Sequence, residues 1–100
     1  SWEGFALEAV IRHYQATPEE TFFWGVHAQA ELDLIIFKEG KKLGFEFEYS
    51  DSPRLTKSLE TAQAHLNLDA LTVIYPGKTA YSLSKEIQVV GIKDFLSKAE

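Results

Sequence analysis

The segment 31–38, ELDLIIFK, constrains the fold more than any other stretch of the chain. Side chains alternate between faces along an extended strand, and here Leu32, Leu34 and Ile36 fall on one face while Ile35 and Phe37 fall on the other. A strand that is apolar on both faces reads as a central one, covered on both sides. The rest of the chain has to supply the cover. With 100 residues, 45% hydrophobic and 13% aromatic, there is enough for one core and no room for a second, so residues 1–100 read as a single domain rather than a disordered tail. Ten Lys and Arg against fifteen Asp and Glu give a formal charge of −5, which excludes a generally basic nucleic-acid coat while leaving room for a local basic patch. Cysteine is absent, which excludes disulfides, zinc fingers and thiol chemistry. No apolar run approaches the roughly 20 residues of a membrane span and no secretory leader is visible, so a cytoplasmic protein without a membrane partner is expected. The sequence opens at Ser1–Trp2 inside a helical pattern and reads as a piece of a longer protein.

The other elements follow from periodicity and punctuation. Residues 2–15 read as a helix that stops before Thr17–Pro18. Residues 21–28 are β-branched and aromatic and read as a strand. Glu39–Gly40 reads as a hairpin turn leading into a strand over 42–49, where Leu43, Phe45, Phe47 and Tyr49 alternate with Gly44, Glu46 and Glu48. Ser52–Pro53 offers an N-cap and a proline at the first helical position, so a helix is expected over 53–66 with Leu55, Leu59, Ala62 and Leu66 in one stripe. Strands are expected over 70–75 and 86–91, and a last helical turn or two over 92–98. The order α-β-β-β-α-β-β describes an α/β fold, a mixed sheet flanked by helices.

Acids standing where apolar groups belong point to a site. Glu3 lies within about 60° of Leu7, Val10 and Tyr14 around the first helix, inside its apolar arc. The competing reading is an acid that complements the positive end of the helix dipole. Asp33 interrupts the apolar run of the central strand, where an ionised carboxylate needs a partner, a metal or a proton. A two-residue turn at Glu39–Gly40 sets Asp33 directly opposite Glu46, with Glu48 two residues along on the same face. Opposed like charges need compensation, and a divalent cation supplies it with hard oxygen ligands. The alternative is a solvated polar face with no ion. A bulge, or a three-residue turn, would send Asp33 to the other face and remove the argument.

The order of these features resembles the PD-(D/E)XK restriction-endonuclease-like fold. At the level of phrases, Trp2–Glu8 (WEGFALE), His27–Leu34 (HAQAELDL), Gly44–Ser50 (GFEFEYS), Pro53–Thr56 (PRLT) and Val73–Gly77 (VIYPG) look like the C-terminal domain of unknown function found in prokaryotic AAA-type (P-loop) ATPases. The resemblance covers nearly the whole chain and implies a restriction-endonuclease-like core. It implies Glu3, Asp33 and Glu46 as metal ligands for Mg²⁺ or Mn²⁺, and it implies a catalytic set of these three with the residue at position 48. An active nuclease of this fold has lysine there, to activate water and offset phosphate charge. This chain has Glu48, of opposite sign. A migrated lysine would be Lys57. The resemblance also implies a missing N-terminal ATPase domain as partner in the same chain. This piece has no phosphate-binding loop, since Gly40–Lys41 lacks both the preceding glycine and the following hydroxyl residue, so no ATP site is expected in it.

Other signals are weaker. Arg54 and Lys57 begin the second helical pattern and are candidate contacts to phosphate or nucleic acid; ordinary helix decoration is the competing reading. His27 could reach the acids, whereas His13 reads as a hydrogen-bonded residue at the core's edge. Lys38, Lys41 and Lys42 read as solubilising the hairpin tip, and Trp2, Trp24, Phe22, Phe23 and Phe37 as core aromatics. The expectation is a catalytically degenerate nuclease-fold module of an ATPase, used to bind a partner or nucleic acid. The alternatives are an active Mg²⁺- or Mn²⁺-dependent phosphodiesterase and a structural domain for homo-oligomerisation.

Overall fold

A computed structural model describes residues 1–26 and 30–98. Helix α1 (Trp2–Tyr14) starts where the Ser1 hydroxyl accepts the Gly4 amide at 3.1 Å, and it ends on Gln15, whose φ of 54° turns the chain left-handed. A single 3₁₀ turn at Pro18–Glu20 leads into three antiparallel strands, β1 (Thr21–Val26), β2 (Ala30–Lys38) and β3 (Lys41–Phe47). The β2–β3 turn is the two-residue one expected. Glu39 and Gly40 both have positive φ, 52° and 79°, and Lys38 pairs with Lys41. That conformation matches the right-handed twist of the strands, and Gly40 adopts it without steric cost.

Helix α2 (Lys57–Leu66) crosses over to β4 (Ala70–Tyr75), parallel to β3. A short β5 (Tyr81–Ser82) then pairs with β6 (Ile87–Gly91), which runs parallel to β4 and leads directly into α3 (Ile92–Ser97). The six-stranded mixed sheet has the order β1-β2-β3-β4-β6-β5. Leu59 and Ala62 of α2 cover one face, packed with Leu71, Val73, Ile87 and Val89. Ala6 and Val10 of α1 and Ile92 of α3 cover the other, against Leu34, Ile36, Phe45, Phe47 and Ile74. The mixed α/β architecture with a helix-covered sheet is the expected one, and β2 is the doubly covered strand that its sequence demands: Leu32, Leu34, Ile35 and Ile36 are all buried.

Several boundaries differ from expectation, each for a local reason. Helix α2 begins at Lys57 rather than 53, because the Thr56 hydroxyl accepts the Leu59 amide at 3.1 Å and acts as the N-cap. Pro53 is held outside the helix, where its carbonyl accepts the Tyr81 hydroxyl at 2.7 Å. Leu55 therefore precedes the helix and is exposed instead of joining its apolar stripe. The strand β3 ends at Phe47, though the Glu48 amide still donates to the Ile74 carbonyl at 2.9 Å. The two-residue β5 was not anticipated; nothing in Tyr81–Ser82 sets it apart from a loop. The expected extension of β1 to residue 28 lies outside the described residues.

The lysines near the hairpin do more than solubilise it. Lys38 reaches the Glu20 carboxylate at 3.2 Å and the Gln15 carbonyl at 3.3 Å, and Lys42 donates to the Leu66 carbonyl at 2.8 Å. Phe22, Phe23 and Phe37 are the opposite case: expected in the core, they are 49%, 67% and 42% exposed. They lie on or beside β1, the first strand in the sheet order, where cover runs out. Among the described residues no helix is long and apolar enough to cross a membrane.

Candidate functional site

The site begins with an irregularity in β2. Phe22 pairs with Ile35 but Trp24 pairs with Leu32, so Phe23 alone stands opposite both Asp33 and Leu34. Two residues facing one is a β-bulge, with the extra residue on β2. Packing shows its effect. Leu32 and Ile35 share the core beneath α2, whereas Leu34 and Ile36 share the core beneath α1. An unbroken strand would have put residues 32, 34 and 36 together. Asp33 is thereby brought to the α1 side, where it lines a depression with Glu3, Gly4 and Leu7 of α1, Phe23 of β1, and Glu46 and Phe47 of β3.

Opposition of Asp33 and Glu46 was expected only for an unbulged strand, yet the two meet with the bulge present. Main-chain pairing between β2 and β3 runs from Lys38↔Lys41 only as far as Leu34↔Phe45. Beyond that point the two carboxyl groups fill the opening between the strands. The Phe47 amide donates to Asp33 Oδ2 at 2.8 Å, and the Asp33 amide donates to Glu46 Oε1 at 3.3 Å. Each acid accepts a main-chain amide of the opposite strand, in place of the next rungs of the ladder.

Electrostatics follow from that packing. Burial raises the Glu46 carboxyl to about 8, and the neighbouring Asp33 charge adds to the effect. Burial also raises Asp33, assisted by the charges of Glu31 and Glu3, against the lowering effect of the Phe47 amide. The hydrogen bond between the two side chains favours Asp33 as the anion and Glu46 as the acid. The pair therefore holds a shared proton near neutral pH, the coupled behaviour expected of two close carboxyls in a partly dry site.

The other expected site residues are distributed as follows. Glu3 is exposed on the first turn of α1 and borders the same depression. It sits in the first helical turn, where an acid complements the helix dipole. Glu48 does not border the depression; its Oε2 accepts the Ser50 hydroxyl at 3.1 Å. Arg54 and Lys57 are exposed and lie outside it, Arg54 before α2 and Lys57 at its first position. His27 lies outside the described residues. None of Glu3, Asp33 and Glu46 is ion-paired with a described residue.

The metal expected on Glu3, Asp33 and Glu46 can be tested against this geometry. Among the described residues, no three His, Cys, Asp or Glu side chains gather closely enough to hold an ion. Asp33 and Glu46 turn their oxygens to each other's main chain, and Glu3 stands at the rim. The arrangement as it stands does not fit a three-carboxylate metal centre. Glu31 and Phe23 were not singled out by the sequence. Glu31 acts through its charge on both half-buried acids, and the alternation Glu31–Leu32–Asp33 was the only signal for it. Phe23 becomes a wall of the depression because the bulge sets it opposite Asp33.

The family profile described as "domain of unknown function (DUF4143)" matches residues 1–95, and the chain belongs to that family. It is similar to an uncharacterized protein of Mycobacterium bovis and to one of Mycobacterium tuberculosis, each 32% identical over 97 residues. The matched stretch is 97% of this chain and 22% of each relative, so the chain spans about a fifth of the curated relatives' length. No solved structure matches it.

Proposed function

We propose that this family member is a nuclease-fold module, of the PD-(D/E)XK type, whose catalytic machinery has degenerated and which serves a longer AAA-type ATPase chain by binding. Position 48 carries the reading. Where an active nuclease of that fold has a lysine beside its acids, this chain has Glu48, bonded to Ser50 and away from the depression. Among the described residues, the site then lacks a cation to offset charge developing on a phosphate. Glu3, Asp33 and Glu46 also disfavour phosphate entry, so a polypeptide is a better ligand for this surface than a nucleic acid. The helix with Glu3, the bulged strand with Asp33 and the following strand with Glu46 stand in the order that the resemblance implies, which supports the fold assignment. The relatives' greater length leaves room for an ATPase domain, and a cytoplasmic location is consistent with that role.

Cleavage assays test this reading. The 100-residue chain is incubated with supercoiled plasmid, single-stranded DNA and single-stranded RNA in Mg²⁺ or Mn²⁺, beside Asp33→Asn. The expected result is no cleavage that distinguishes the two proteins. Cleavage that Asp33→Asn abolishes would establish a working phosphodiesterase and overturn the proposal.

A further inference from the structure

The depression holding the acids continues into a second one, and the two together form a groove between α1 and β1. The first, of about 490 Å³, and the second, of about 200 Å³, share Leu7, Phe23 and Asp33. The second extends along Ile11, Thr21 and Phe22. One end of the groove is thus apolar and the other carries three carboxyl groups.

Neither end finds a full counterpart among the described residues. Phe23 is 67% exposed although it sits in a strand, whereas the ring of its neighbour Phe22 packs edge-on against Phe37. The Phe23 ring lies back over Gly25, where an added Cβ would come within 3.1 Å of it, so the glycine leaves the ring room to form the groove wall. At the other end, Glu3, Asp33 and Glu46 have no ion pair among the described residues. A wholly apolar occupant would leave the carboxyls without a cation, and an anionic one would be repelled. A ligand that satisfies both ends carries a lysine or arginine among apolar side chains. β1 is the edge strand of the sheet, so an extended segment can approach along it.

We propose that this groove binds an extended, apolar and cationic segment of a separate partner protein, placing a lysine or arginine over Asp33 and Glu46 and apolar side chains against Leu7, Ile11 and Phe23. This rests on the reading of the domain as a binding module and names the chemistry of its partner.

The test uses the 100-residue chain and three acetylated heptapeptides: alternating valine and lysine, alternating valine and glutamate, and alternating serine and lysine. Binding is followed by amide chemical shifts. The valine–lysine peptide is expected to shift residues of the groove and to bind at least about ten-fold more tightly than the other two. Phe23→Ser, at an exposed position, should weaken it by about five-fold or more, as should Asp33→Asn, whereas Leu55→Ser, exposed elsewhere, should not. Equal binding of the serine–lysine peptide would mean general charge attraction and overturn the proposal. So would shifts confined to another surface, or a self-association that Phe23→Ser abolishes, which would make a second copy the occupant. The cleavage assay on the same samples separates the two claims: absent peptide binding with no cleavage defeats this inference alone, and cleavage defeats the reading beneath it.

Discussion

Near neutral pH the proton that Glu46 shares with Asp33 couples this pair to the stability of the whole fold. The Glu46 carboxyl has a folded value of about 8 against an ordinary 4.5, so between those limits the folded chain holds a proton that the unfolded chain has released. Stability from this group is complete below about pH 4.5 and is lost as pH rises through 8. Asp33, also raised, acts in the same sense. The urea midpoint is therefore expected to fall between pH 5 and pH 8. Glu46→Gln, which keeps the shape and removes the titration, should flatten that fall and add about 1 kcal/mol at pH 8, allowing for solvent screening at a part-exposed site. Equal slopes for the two proteins would contradict the assignment. The meeting of Asp33 and Glu46 was legible in the sequence, through the two-residue turn. The means was not: the bulge depends on how β1 pairs with β2, and no local pattern in either strand encodes that shift.

At the scale of elements, hydrogen-bonding side chains decide the boundaries. The sequence suggested Ser52–Pro53 as the start of α2, and the structure caps it instead at Thr56. Tyr81, far along the chain, holds the Pro53 carbonyl outside the helix. Thr56→Ala is thus expected to cost about 1 kcal/mol in denaturant unfolding, and Ser52→Ala less than about 0.5 kcal/mol. The reverse ranking would place the helix start at Pro53. The central strand and the hairpin were readable because their signals are local: an apolar run on both faces, and a glycine where φ must be positive. The exposed phenylalanines of β1 were misread for a related reason. An aromatic strand looks the same whether it lies mid-sheet or at the edge, and strand order is a long-range property.

At the scale of the molecule, the formal charge of −5 is spread unevenly. Acids gather at one end of the groove without a cation among the described residues, while Lys38 and Lys42 are spent in bracing the hairpin against Glu20 and the end of α2. The resemblance read from phrases along nearly the whole chain agrees with membership of a family of unknown function over residues 1–95, and the helix-covered mixed sheet agrees with its implied architecture at the coarse level. What the phrases did not reveal is the orientation of the acids, which depends on where the β2–β3 ladder stops. That orientation is the central claim: each of the two half-buried carboxyls accepts a main-chain amide of the other's strand. Calorimetric titration of Mn²⁺ into the native chain and into Asp33→Asn at pH 7 tests it most directly. The account predicts indistinguishable heats, with no site tighter than about 1 mM in either protein. A stoichiometric site in the native chain that Asp33→Asn removes would contradict it.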